Sequence, residues 1–189
     1  MKKNPKRGIN MAGSYTAEDY FSLVPEGTNK WELIKGFFEM SPSPLTEHQR
    51  VLMDISRIMS NYFFLSKCRV FVAPFDVQLG DNVVQPDIVV ICGKEKLVER
   101  GCKGAPDLIV EIISPSTRKL DEKRKKKLYQ EFLVPELWHV YPETRIIIKY
   151  SLLDGKYNKG EKFDVAGQVV SSNKHPKLEV KIEEVFYDW

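Results

Sequence analysis

Cysteine is scarce in this chain. Its 189 residues hold three, Cys68, Cys92 and Cys102, with no Cys-x-x-Cys pair among them. The odd count and the wide spacing argue against a disulfide framework and against a zinc knuckle. Cys68 closes a helical pattern and Cys92 closes a strand, so both are expected to be small buried hydrophobes. Long apolar runs are also missing. No stretch reaches the length needed to cross a bilayer, and the basic first seven residues lead into no apolar signal core. A cytoplasmic protein without a membrane partner is the expectation. Internal repeats and low-complexity segments are absent too, and nothing calls for a small-molecule organic cofactor.

Apolar residues at 42% and charged residues at 29% fit one compact domain of ordinary size. The net charge of +3 is unevenly spread: residues 1–7 carry +4, residues 118–127 carry +5, and the remainder carries −6. Two basic patches on an acidic body suit contact with a phosphate backbone, and they equally suit a solvated helix face with a basic tail.

Residues 1–14 are poor in apolar side chains and read as a disordered tail, leaving residues 15–189 as one domain. Thr16-Ala17-Glu18-Asp19 is a capping-box-like helix start, and Pro25 with Gly27 ends that helix. Residues 31–40 form an extended segment bent or paired around Gly36. Residues 46–67 give the best helix, with Val51, Leu52, Ile55, Ile58, Met59, Tyr62 and Phe63 in one apolar stripe. Residues 70–79 and 83–91 read as the two arms of one hairpin turned at Gly80-Asp81-Asn82. Residues 93–106 read as a loop, and His175, before Pro176, as another. A fully apolar strand at 107–113 is broken by Glu111, and a helix spans about 120–133. Strands at 137–141, 145–152 and 161–165 follow. The class is α/β or α+β, a mixed sheet flanked by helices.

Three residues in the stretch 83–132 carry the chemistry. Glu111 lies inside a run of Leu, Ile and Val, where an unpartnered anion is costly, so it must meet a cation, a metal or an exposed mouth. Asp87 follows Pro86, where strand pairing begins; if the two strands are neighbours, Asp87 and Glu111 converge. At 100° per residue, Asp121, Lys125, Leu128, Tyr129 and Phe132 share a stripe, so Lys125 leans inward with the apolar residues. Lys123, Arg124, Lys126 and Lys127 point toward solvent and are candidates for nucleic-acid backbone contact. Two carboxylates and a lysine suit a centre in which Mg²⁺, or Mn²⁺ in its place, binds phosphate oxygens and activates water. A blander reading makes Glu111 a salt-bridged core residue, with Lys125 or an arginine on it and no cleft. His48, at a helix start, is a candidate general base or phosphate contact, or simply a polar first-turn residue. His139 alternates with apolar neighbours and reads as structural.

Taken as a set, these residues resemble the PD-(D/E)XK nuclease superfamily, and more closely the bacterial Uma-type family of restriction-endonuclease-like proteins. The match runs through Trp31-Glu32-Leu33-Ile34, Gln85-Pro86-Asp87, Val110-Glu111-Ile112-Ile113-Ser114-Pro115, and Asp121 with Lys125 and Tyr129. It covers residues 15–189. The resemblance implies a restriction-endonuclease-like core acting on DNA, with Asp87 and Glu111 as metal ligands. The superfamily lysine would fall at 113, which is Ile113 here, and in the closer family Lys125 takes over. Glu32 matches an acid some members place near the metal. Lys35 and Phe37 stand where acids are common, which argues against a second metal. The resemblance also allows a homodimer, or a module on the same fold that binds nucleic acid or protein without cutting.

Overall fold

The computed structural model describes residues 14–25, 30–40, 43–116 and 118–188. The expected N-terminal tail lies almost wholly outside them, as do Gly27 and Thr117.

In chain order, α1 (Ala17–Leu23) is followed by β1 (Trp31–Ile34), β2 (Phe37–Met40), α2 (Thr46–Phe63), β3 (Arg69–Val72), β4 (Asp76–Leu79), β5 (Asn82–Val84), β6 (Ile88–Ile91), β7 (Leu97–Val98), β8 (Gly101–Lys103) and β9 (Leu108–Ile112). A π-helical turn (Leu120–Lys125) then runs into α3 (Lys126–Glu131). The chain continues with β10 (Glu136–Tyr141), β11 (Ile146–Leu153), β12 (Lys156–Tyr157), β13 (Glu161–Phe163), β14 (Val169–Ser171), β15 (Glu179–Lys181) and α4 (Ile182–Val185). Among the described residues these strands form two large sheets, ordered β2-β1-β5-β4-β8-β7 and β12-β11-β10-β9-β6-β3, with β13 added on β11 and a separate β14–β15 ribbon. The class is α+β with mixed sheets: β9–β10 and β4–β8 are parallel, the other pairs antiparallel.

The expected hairpin is kinked. Its arms break at residues 73–75 and 85–87, so β3 and β6 pair in one sheet while β4 and β5 pair in the other. Pro74 and Pro86 explain the break, since neither can donate to a ladder. The chain therefore leaves one sheet and enters the other immediately beside Asp87. Residues 93–106 are not a plain loop: β8 adds to β4 in parallel. That pairing needs glycine. Gly101 has φ +151°, and a Cβ there would sit 1.9 Å from the Asp76 carbonyl oxygen. Gly101→Ala is expected to cost about 3 kcal/mol or more, read as a lowered urea midpoint at unchanged m-value.

The central strands are covered on both faces. Val51, Ile55 and Met59 of α2 pack on Ile88, Val90, Leu108, Val110 and Ile112. The opposite face carries Val89, Ile91, Ile109 and Leu137 against Leu128 and Tyr129. Tyr62 and Phe132, expected on buried stripes, are at the flanks and exposed. Phe132 covers Gly80 instead, its ring 3.0 Å from where a Cβ there would fall. The capping box forms as expected, Thr16 and Asp19 exchanging hydrogen bonds. None of the described helices is long and apolar enough to cross a membrane.

Cys68 and Cys92 are not two isolated thiols. They are joined as a disulfide. The register Arg69↔Ile91 puts residues 68 and 92 opposite each other just past the ladder. The pairing comes from strand register, which spacing in the sequence does not reveal. Cys102 remains a free, buried thiol.

Candidate active site

Strand register builds the site. β6 and β9 are antiparallel neighbours with Ile88 opposite Val110, which sets Asp87 facing Glu111. Both are buried, at 4% and 1% exposure, and both line a cavity of about 290 Å³. Asp121, Lys125, His48, Lys30, Ser114 and Ser116 also line it. The blander reading expected Lys125 on Glu111 and no cleft. The contact is present, and so is the cleft.

Lys125 reaches the floor of this cavity from the π-helical turn. Its Nζ lies 2.9 Å from Glu111 Oε1, 2.9 Å from Glu32 Oε1 and 3.2 Å from Asp121 Oδ1. Burial alone would lower the pKa of this ammonium, but Glu111 and then Glu32 carry it well above the ordinary range. Tyr129 donates its hydroxyl to Glu111 Oε1 at 2.5 Å. Glu32 comes from β1 in the other sheet, so Lys125 spans both sheets. Glu32 also accepts from the Gln85 N–H at 2.8 Å, and its Oε2 is buried without a hydrogen-bond partner. It does not line the cavity.

The π-helical turn is closed by the Lys126 N–H donating to the Asp121 carbonyl. A helix read at 100° per residue does not anticipate it. The extra residue turns Lys126 inward, its Nζ 3.4 Å from the Tyr150 ring centroid. The expectation that Lys126 points to solvent is therefore corrected. Lys123, Arg124 and Lys127 are exposed as expected, Arg124 pairing with Glu39 of β2 at 2.5 Å.

Asp87 has its own partners. Its Oδ1 lies 2.9 Å from Lys30 Nζ, and its Oδ2 accepts from the Ile112 N–H at 2.8 Å and meets His48 Nε2 at 3.2 Å. Burial would raise this carboxyl, but Lys30 and His48 outweigh it and hold it well below the usual range. Lys30 escaped the sequence reading, because it sits in no pattern and meets Asp87 across 57 positions. Among the described residues His48 Nδ1 is buried without a partner, and the ring's one contact of this kind is Asp87.

Glu111 behaves oppositely. Burial, with Asp121 and Asp87 adding to it against Lys125, pushes its carboxyl up to about 8. The cause is charge balance. Four buried carboxylates, Glu32, Asp87, Glu111 and Asp121, face two lysines, Lys30 and Lys125. Lys125 divides one charge among three of them and cannot fully offset the burial of Glu111. The hard oxygen donors of Asp87, Glu111 and Asp121 on the cavity wall are of the kind a divalent cation of the magnesium class takes. His139 lies beside Glu111 in the β9–β10 register, with both ring nitrogens buried and unpartnered. Burial, then Lys126 and Lys125, hold it neutral with a value down at about 3, in keeping with a structural residue.

The sheet topology and this acid–lysine floor define a protein of nuclease fold. The chain belongs to the Uma2 family, described as "Putative restriction endonuclease", whose sequence pattern matches residues 17–183. Among solved structures it is similar to a protein from Anabaena variabilis titled "putative nuclease belonging to DUF820". The two share 19% identity and superpose with a TM-score of 0.77 over 90% of this chain and 97% of that one. No curated protein matches the sequence.

Proposed function

We propose that this chain is a Mg²⁺-dependent endonuclease hydrolysing DNA phosphodiester bonds, with Mn²⁺ able to substitute. One observation carries the reading: Asp87 and Glu111 face each other across adjacent strands into a cavity whose acids outnumber its lysines. When bound, the cation supplies a more acidic water and offsets charge on the phosphate. Asp87 and Glu111 would hold it. Tyr129 and Lys125 orient Glu111, and Glu32 holds Lys125 from behind. Lys125 would release its longest contact, Asp121 at 3.2 Å, to donate toward the attacking water or a phosphate oxygen in the cavity that it lines. His48 steadies Asp87 rather than serving as the base. Lys123, Arg124 and Lys127 contact the backbone of the nucleic acid, the helix that carries them starting at the cavity edge.

The test is cleavage of linear, supercoiled and single-stranded DNA with Mg²⁺ or Mn²⁺, the Glu111→Ala protein alongside. Equal cleavage by both proteins would overturn the reading. A second reading, binding without cutting, draws on the engagement of Asp87 by Lys30, His48 and the Ile112 N–H. It predicts no ordered Mn²⁺ between Asp87 and Glu111 in soaked crystals.

A pH dependence follows. Glu111 titrates near 8 in the folded chain against an ordinary 4.5. Between those values the folded state holds a proton the unfolded chain has lost, so this group's contribution to stability falls as pH rises through the window. A divalent cation must expel that proton. Calorimetry in buffers of different ionisation enthalpy should show about one proton released per Mg²⁺ at pH 7 and almost none at pH 9. Cleavage should strengthen across the same range.

A further inference from the structure

At the far end of β6 from Asp87, the two bonded cysteines share their corner with His175, from the loop between β14 and β15. The sulfur atoms and a ring nitrogen of these three residues all lie within 4.8 Å of one another, and Cys92 Sγ is 3.6 Å from His175 Nε2. We propose that Cys68, Cys92 and His175 form a binding site for a soft divalent cation of the zinc class, available when the disulfide is reduced.

The donor set argues for it. Two thiolates and an imidazole are the ligands that zinc prefers, with a water completing the tetrahedron. With zinc–sulfur bonds of about 2.3 Å and zinc–nitrogen bonds of about 2.0–2.1 Å, a tetrahedral site separates sulfur from nitrogen by about 3.6 Å. That is the separation seen here between Cys92 and His175. The imidazole is held in place, edge-on to Phe63 with ring centroids 4.9 Å apart, and Tyr62 is beside it. Burial, and then Lys174, hold the ring below its usual pKa. Asp107 takes the Cys92 N–H at 2.8 Å and fixes the backbone behind the second sulfur. The β3–β6 register, which ends at Arg69 opposite Ile91, sets Cys68 and Cys92 opposite each other by ladder bonds that do not involve the disulfide.

The two states exclude each other. Reduction by a dithiol transfers two electrons and two protons, giving two cysteine thiols and one oxidised dithiol. Binding of the cation then releases both thiol protons. The loaded site would tie the 172–178 loop to the edge of the sheet through a metal. It uses no residue of the acidic cavity.

The test is a titration of the full-length protein with Co²⁺, under anaerobic conditions after phosphine reduction. One equivalent should bind with intense near-ultraviolet thiolate-to-cobalt charge transfer and tetrahedral visible bands, and Zn²⁺ should bleach both. Cobalt held by carboxylates in the acidic cavity gives no thiolate band, so the two sites are told apart. Oxidised protein should show no such spectrum. His175→Ala should weaken binding at least tenfold while both thiols remain, and Cys102→Ala should change nothing. Circular dichroism checks that each variant is folded, and the reduced-against-oxidised comparison needs no variant. No thiolate band in the reduced protein, or an unchanged titration in His175→Ala, would overturn the proposal.

Discussion

Lys125→Met is expected to lose about 3–5 kcal/mol of stability at neutral pH, the cost of removing one partner from a buried ion pair. Native domains have about 5–15 kcal/mol in all, so much of the variant should be unfolded. The cause is specific. Methionine keeps the length and apolar stem of lysine but leaves Glu32, Glu111 and Asp121 facing each other without a shared cation. The loss should depend on pH, with a definite sign. Glu111 already has a folded pKa above its unfolded value, and removing Lys125 raises it further. Wild-type and variant folded states both hold the Glu111 proton until the pH approaches 8, so this added penalty is absent below about pH 8 and grows as the pH rises above it. Urea denaturation at about pH 7 and about pH 9.5, on either side of the folded Glu111 value, reads this directly. A loss below about 1 kcal/mol, or one equal at both pH values, would mean that the three carboxylates do not depend on Lys125.

Asp87→Ala should lower Mg²⁺-dependent cleavage by roughly a thousand-fold or more. Groups that only orient a metal ligand typically cost roughly 10–100-fold when removed, and a ligand itself should exceed them. The far-ultraviolet circular dichroism should stay native, because the side chain lies at a strand mouth and its lysine partner, Lys30, reaches solvent. Asp87→Asn is the sharper variant, since it keeps the Ile112 N–H bond while removing the charge. Both should also lose the ordered Mn²⁺. Cleavage at the normal rate in a folded Asp87→Asn protein would remove Asp87 from the mechanism.

Much of this architecture was legible in the chain. The period-3.6 stripe of α2 buries all its residues but Tyr62 and the half-buried Ile58, the capping box at Thr16 forms, and the apolar run around Glu111 is buried. Asp87, Glu111 and Lys125 could be brought together on alternation and helical spacing, because those rules are local. What stayed hidden is non-local or irregular. Lys30 has no periodic context, and only the folded β1–β5 region brings it to Asp87. The π-helical turn breaks the 100° rule on which the placing of Lys126 rested. The Cys68–Cys92 bond depends on a register between strands 24 residues apart. Pro74 and Pro86 did signal where pairing stops, but a proline marks a break without saying which sheet each half joins.

The kink at Pro86 has a mechanical corollary. Glu32 rides on one sheet, Asp87 and Glu111 on the other, and a single ammonium bolts them together. Any sliding of one layer over the other must change the distance from that ammonium to each acid. Rigidity between the layers and the aim of the lysine are thus one variable. A substitution far from the cavity that lets the layers shear should detune it without touching any residue in it.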